Sequence, residues 1–350
     1  MPAPTNSFSA TLPHMADSYC DERPTCTLRW PATDHGVVLK HGDGPGQCDI
    51  LGAREAIVYL EDGKYHLFYD GSGPRGWLAC VAVSDDLLNW KKLGPIFDFG
   101  APGMPDSATA ASPWMIHDGE CWHAYYVASP NATPGPDFVP FFPYLALVAT
   151  APKLTGPWTK RYDIRPYEPK PGTWYSSTAS PGYIIRHDGE YLQFFSASTE
   201  PTPRVIKRTL GIARTRDLKG PWTIDPEPLF SPEEQVENSS LYYEPANGLW
   251  FLFTNHIGVE PAPGEPCEYT DAIWVYWSDD PTRWDVRKKA VVVDGQTSGW
   301  AKRCIGMPSV LPVGNRLAIL YDAPAGTSNS HMRRDIGLAW LPLPLMPPKV

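Results

Sequence analysis

Two glutamates stand at the heads of apolar runs. Glu55 leads without a break into Ala56-Ile57-Val58-Tyr59-Leu60, and Glu237 precedes Asn238-Ser239-Ser240-Leu241-Tyr242-Tyr243. A carboxylate at the buried end of a strand is costly unless it is paired or hydrogen-bonded. Two carboxylates across a cleft are what glycosidic bond cleavage needs, one as acid and the other as base or nucleophile. The structural alternative is a salt bridge, Glu55 with Arg54 or Arg303 and Glu237 with a neighbouring Lys or Arg. Asp106, before a Ser/Thr-rich stretch, and Asp49 are further candidate acids, although an Asp in such a place also serves as a turn or cap residue. His256 and His331 are read on loops, where they would hydrogen-bond ligand hydroxyls. Trp114 and Trp174 flank Ser112-Pro113 and Ser180-Pro181, and a ring there either stacks on a sugar or packs in a core. The chain has no HExxH and no His/Asp cluster at ligand spacing, which argues against a catalytic transition metal. It has no GxSxG, which disfavours a serine hydrolase. Its Gly42–Gly46 run precedes no helix, so it is not a phosphate loop.

These residues need a scaffold, and the chain repeats one. Runs from Arg54, Ser112, Ser180, Ser239 and Met307 each read as strand, turn, strand, with turn glycines at 63, 119, 189, 248 and 314. Asp-Gly and Asn-Gly in such turns signal hairpins. Each hairpin is followed by another pair of strand-like pieces, four of them carrying Trp90, Trp158, Trp222 and Trp284 as core plugs. With 40 prolines and 29 glycines in 350 residues, the chain has no room for long helices. A four-stranded unit that cannot bury both faces alone becomes a propeller blade when repeated radially. The expected fold is therefore all-β, a five-bladed β-propeller with four antiparallel strands per blade, as a single domain over residues 1–350. Residues 1–50 are irregular and would cover one face or supply the strand that closes the ring against the fifth unit. Residues 130–143 form a long insertion, a length at which loops are usually functional or disordered. In a propeller the first strands converge on a central funnel, which points to Asp49, Arg54, Glu55, Asp106, Ser112, Ser180, Glu237 and Arg303 as funnel residues.

The remaining composition is restrictive. A net charge of −9 argues against a nucleic-acid partner. No apolar run approaches the ~18 residues of a membrane span, and Met1–Ser9 lacks the basic and apolar regions of a secretory leader. A cytoplasmic protein with mostly buried, reduced thiols among its seven cysteines is the expectation, and an exported mature form with a Cys20–Cys26 bridge is the alternative.

The segment Arg54–Gly71 resembles the first blade of the five-bladed glycoside hydrolases, the group of families 43, 32, 68, 117 and 130. Family 43 opens that blade with Arg-Asp-Pro-x-Val and continues with Gly-x-Tyr-Tyr-x-Phe-Tyr. Here Glu55 falls where the Asp falls, Ala56 replaces the Pro, and Gly63, Tyr65, Phe68 and Tyr69 match the rest. Glu237 falls near the family's general acid, with Asn238-Ser239 for Gly-Pro. The family's third carboxylate is replaced by Ser180-Pro181, and Ser112-Pro113 repeats the change in blade two, so the resemblance implies a divergent or new family. It implies hydrolysis of a terminal or short-chain glycoside, such as an arabinofuranoside. Glu237 would protonate the leaving oxygen and Glu55 would activate water. Inversion would follow, with the carboxyls roughly 6.5–9.5 Å apart. Asp106 is the candidate for the missing acid, and a His serves as acid in family 117, which brings in His331. No cofactor is required, and a structural calcium or sodium ion is compatible with the resemblance. The rival readings are a family 130 type phosphorylase, with Arg303 and Arg333 or Arg334 binding phosphate, and a carbohydrate-binding propeller without catalysis.

Overall fold

A computed structural model describes residues 26, 28–202, 205–260, 267–328 and 330–349, so Cys20 and most of the irregular N-terminal segment lie outside the described residues. The described residues form twenty strands and two three-residue 3-10 turns. β1 is Thr33–Leu39. A first unit holds β2 Gly52–Glu61, β3 Lys64–Gly73, β4 Gly76–Ser84 and β5 Lys91–Pro95. A second holds β6 Thr109–His117, β7 Trp122–Ser129, β8 Leu145–Ala151 and β9 Thr159–Lys160. The third runs through β10 Thr178–His187, β11 Glu190–Thr202, β12 Val205–Thr215 and β13 Thr223–Ile224. The fourth runs through β14 Val236–Glu244, β15 Leu249–Glu260, β16 Cys267–Ser278 and β17 Lys289–Val293. The last strands are β18 Gly306–Val313, β19 Arg316–Pro324 and β20 Arg334–Pro342.

The third and fourth units are separate four-stranded antiparallel sheets, and β18-β19-β20 completes another with β1 on its outer edge. The first two units share one eight-stranded sheet, but only the parallel pairs Trp77↔Thr109 and Leu78↔Ala110 join its halves. β1 pairs with β20 from Thr33↔Trp340 to Leu39↔Ile336, so the segment before residue 50 supplies a closing strand, as its position in the sequence suggests. The five turn glycines all have positive φ, from 59° at Gly314 to 104° at Gly119, a conformation that only glycine adopts cheaply.

Both faces of these sheets are buried, which explains the continuous apolar runs along the strands. Alternate residues feed different cores. Phe194 and Leu192 pack with Leu252 and Trp274 of the fourth unit, whereas Phe195 packs with Tyr125 and Val148 of the second. Other cores join the first unit to the second (Phe68 with Trp114), the fourth to β19 (Phe251 with Ile319), and β19 back to the first unit (Leu320 with Val58). The repeated tryptophans seal these cores from the periphery. The indoles of Trp90, Trp158 and Trp284 donate to the carbonyls of Leu87, Leu154 and Pro281 at 3.0, 3.2 and 2.9 Å.

Candidate active site

The first strand of every unit loses register at the same height. The breaks fall between Arg54 and Ile57, Ala111 and Trp114, Ser180 and Tyr183, Glu237 and Ser240, and Gly306 and Ser309. Each inserts one extra residue, a β-bulge, which bends the strand and re-aims its side chains. In four of them the first extra residue is left-handed without being glycine: Glu55 (φ 58°), Ser112 (45°), Asn238 (61°) and Met307 (24°). Such a conformation costs about 1–3 kcal/mol per residue and persists only where surrounding contacts enforce it.

For Glu55, Ser112 and Asn238 those contacts come from the neighbouring unit. The second-strand residue paired with the position just before each bulge is Asp70, Val127, Ser196, Asn255 or Asp322. Asp322 Oδ2 accepts the Glu55 N–H at 2.6 Å, Asp70 Oδ1 accepts that of Ser112 at 2.6 Å, and Ser196 Oγ accepts that of Asn238 at 2.9 Å. Where the second unit meets the third, the acceptor is replaced by Val127 and the bulge residue is Pro181, which has no N–H to donate. The register also corrects one alignment. Glu237 opposes Asn255 as Arg54 opposes Asp70, so the residue equivalent to Glu55 is Asn238, and Glu237 stands one place earlier.

The bulges surround a cleft of about 280 Å³ lined by Arg54, Glu55, Asp70, Trp77, Ser112, Trp114, Tyr144, Ser180, Arg208, Glu237, Asn238 and His331, among others. A smaller recess of about 60 Å³ shares Arg54, Glu55, Arg208, Glu237 and His331 and reaches Asp322 and Arg334. Each cleft glutamate is matched to a guanidinium. Arg54 Nη2 donates to Glu55 Oε1 at 2.9 Å and stacks over Trp77 at 4.7 Å, and Arg208 Nη1 donates to Glu237 Oε1 at 2.9 Å. Beneath them Arg334 Nη2 donates to Asp322 Oδ1 at 2.6 Å, with both groups buried. Among the described residues, four carboxyl groups thus face three guanidiniums. The fourth, Asp70, is held well above the usual carboxylate range, by burial first and then by the negative charge of Glu55. The Tyr144 hydroxyl, pushed up to about 12 chiefly by burial, lies in the field of both glutamates and both arginines and donates to Pro140 O at 2.8 Å. Val139 and Pro140, from the long insertion, form part of the wall.

Of the residues singled out from sequence, Arg54, Glu55, Ser112, Trp114, Ser180, Glu237 and His331 line this cleft, and Trp114 does so while almost wholly buried. The others do not. Asp106 is fully buried in a separate pin, bonded to Lys160 Nζ at 2.5 Å and to the Tyr126 hydroxyl at 2.9 Å. Asp49 repeats that pin with Lys92 at 2.5 Å and Tyr69 at 3.3 Å. Neither can supply the missing acid, because a lysine and a tyrosine already neutralise and enclose it. Asp106→Asn is therefore expected to lower stability by about 3 kcal/mol, as breaking a buried pair does, while the folded protein keeps its activity; urea unfolding beside a rate assay checks both. Trp174 packs on Phe195 at 5.6 Å and donates to Pro226 O, away from the cleft. His256 is not on a loop: it lies in β15, fully buried and stacked on Trp274 at 3.6 Å. Arg303 and Arg333 do not line the cleft, and Arg334 is committed to Asp322 and Cys304, so the phosphate pocket proposed from Arg303, Arg333 and Arg334 does not form.

Asp70, Tyr144, Arg208 and Asp322 are the site residues not anticipated, and Arg334 is anticipated only as a phosphate ligand. A signal for two of them exists: Tyr69-Asp70 and Tyr321-Asp322 end apolar runs at the same register of the second strand. Among the described residues one group could offer three ligands to a metal, Asp118 and Cys121 on the β6–β7 turn with His123 at the start of β7, and none of the three lines the cleft. Its own turn accounts for it, since Asp118 accepts the N–H groups of Glu120 and Cys121 at 2.8 Å and bonds His123 Nε2 at 2.7 Å.

No protein-family model and no curated protein matches this sequence. Solved structures do. BT0996, in its RGII complex, aligns over 92% of this chain and 96% of its own, with a TM-score of 0.69 and 16% identity. Zg3597, a family 117 glycoside hydrolase of the marine bacterium Zobellia galactanivorans, aligns over 89% and 91% with a TM-score of 0.59 and 15% identity. The catalytic domain of a GH62 α-L-arabinofuranosidase from Coprinopsis cinerea aligns over 89% and 96%, with a TM-score of 0.59 and 14% identity. The chain has the fold of these glycoside hydrolases, in agreement with the resemblance read from its first repeat, and it is divergent from them in sequence.

Proposed function

We propose that the chain is a five-bladed β-propeller glycosidase that hydrolyses a terminal or short-chain glycoside. The observation that carries this reading is the pair Glu55 and Glu237, the first on a first-strand bulge and the second one place before one, each clamped by its own arginine and both lining one cleft. Five inter-unit cores and the β1–β20 closure support the blade count. The cleft lies at the small end of ligand pockets, which run ~300–1,000 Å³, and so suits one terminal sugar unit better than a threaded polymer. Trp77, Trp114, Val139 and Pro140 offer apolar surface to a ring face, and the Arg–Glu pairs offer hydrogen bonds to its hydroxyls.

In this reading Glu55 is the base that activates water, held in place by Arg54 at 2.9 Å and by the Ser112 hydroxyl, 2.5 Å from Oε2. Glu237 is the acid that protonates the leaving oxygen. The fold shared with an α-L-arabinofuranosidase makes aryl α-L-arabinofuranosides the first substrates to try, followed by plant, algal and bacterial oligosaccharides. The anomer released, followed by proton NMR, is expected to be inverted. Added inorganic phosphate is expected to leave the product unchanged, since the cleft arginines are already paired with carboxylates; formation of a glycosyl phosphate would instead establish a phosphorylase.

A further inference from the structure

The Ser112 hydroxyl is shared by two carboxyl groups. Its Oγ lies 2.5 Å from Glu55 Oε2 and 2.8 Å from Asp70 Oδ2, while the Ser112 N–H is spent on Asp70 Oδ1 at 2.6 Å. A hydroxyl has one proton to donate and lone pairs to accept with. It can satisfy one carboxylate oxygen, and the other approaches so closely only if it brings a proton of its own. One of the two carboxyls is therefore an acid. Glu55 keeps a fifth of its side-chain surface in solvent and has Arg54 at 2.9 Å, whereas Asp70 is buried to 2% and makes no ion pair among the described residues. The charge belongs on Glu55 and the proton on Asp70.

We propose that Asp70 is a neutral carboxylic acid at neutral pH and a positioning residue for Glu55. Its Oδ2–H donates to Ser112 Oγ, and Ser112 Oγ–H in turn donates to Glu55 Oε2. The groups facing Asp70 are Arg54 and Glu55 from β2, the buried Cys80 thiol from β4 and Ser112 from β6. The upward shift of the Asp70 carboxyl agrees in direction with this protonation. The effect on Glu55 deepens the glycosidase reading and rests on it; the protonation of Asp70 does not.

The direct test is infrared spectroscopy of the intact protein at neutral pH. Wild type should show the carbonyl stretch of a protonated carboxyl, and Asp70→Asn should remove it. If that variant fails to fold, titration of the wild-type band and its displacement in Ser112→Ala give the same answer. No such band, or one that survives Asp70→Asn, overturns the proposal. With a substrate in hand, Asp70→Ala should lower kcat/KM by about tenfold or more. Asp70→Asn should rescue most of that loss, because the amide donates the same hydrogen and still accepts from Ser112 N–H. Ser112→Ala should lower kcat/KM by a comparable factor, and Asp70→Asn should not rescue it, since the hydroxyl that joins the two carboxyls is gone. An Asp70→Asn variant no better than Asp70→Ala would mean that Asp70 works ionised. The infrared arm needs no substrate, so a protein with the band and no glycosidase activity loses its proposed function and keeps the relay, and the converse holds equally.

Discussion

Glu55→Ala is expected to lower hydrolysis of every glycoside substrate by about 10²–10⁴-fold, the range that positioned proton transfer contributes, with the fold intact. The loss should not depend on the leaving group, because attack by water lacks its base in each case. Glu237→Gln provides the contrast. Removing the acid should cost a similar factor on an alkyl glycoside or a disaccharide, and far less on an aryl glycoside whose phenolate leaves unaided. Rates of the two variants on a series of aryl glycosides of falling phenol acidity separate the roles. A steep dependence for Glu55→Ala and a flat one for Glu237→Gln would exchange them. Azide offers a second check: rescue of Glu55→Ala with an inverted glycosyl azide fits the loss of a group on the attacking face, whereas a retained glycosyl azide would make Glu55 the acid/base of a retaining enzyme.

Arg334→Met is expected to destabilise the fold by about 3–5 kcal/mol, because it strands a buried carboxylate. Asp322 is 1% exposed, and its Oδ1 depends on Arg334 Nη2 at 2.6 Å. The same arginine satisfies the Cys304 carbonyl at 2.7 Å, which would also lose its donor. Asp322→Ala in the same background should restore part of the loss by removing the stranded charge. It should not restore the site, because Asp322 Oδ2 is what holds the Glu55 N–H and the left-handed turn there. Thermal unfolding measures the first effect, and ligand affinity of the folded fraction measures the second.

The hairpins are legible in the sequence because each turn needs a left-handed residue, and the chain writes glycine there five times. The closing strand is legible only as a position, since Thr33–Leu39 carries little alternation of its own. The site is half legible. Glu55 and Glu237 announce themselves as acids heading apolar runs, but Asp49 and Asp106 carry a similar signature and are structural pins. What separates the classes is a lysine 43 or 54 residues downstream, on the fourth strand of the same unit, and Glu234 repeats the arrangement with Lys289, 55 residues on. Local pattern cannot associate residues so far apart. Asp70 and Asp322 are hidden for the opposite reason: they sit within second strands, where an apolar run disguises a polar end. Arg208 comes from a third strand, which a search confined to first strands never reaches. His331 and His256 differ only in whether the strand has ended before them.

The pairing of β1 with β20 joins residues some 300 positions apart, so the sheet of β18, β19 and β20 cannot be completed by its own neighbours in sequence. Until Thr33–Leu39 docks, the outer side of β20 is a bare row of N–H and C=O groups beside the apolar residues Ile336, Leu338 and Leu341, a template for pairing with another chain. Loop-closure entropy opposes so distant a contact, which makes it a late event in folding. A truncation that begins after Leu39 therefore leaves a persistently open edge, and the fault it produces is intermolecular: strand exchange between copies and aggregation, growing with protein concentration.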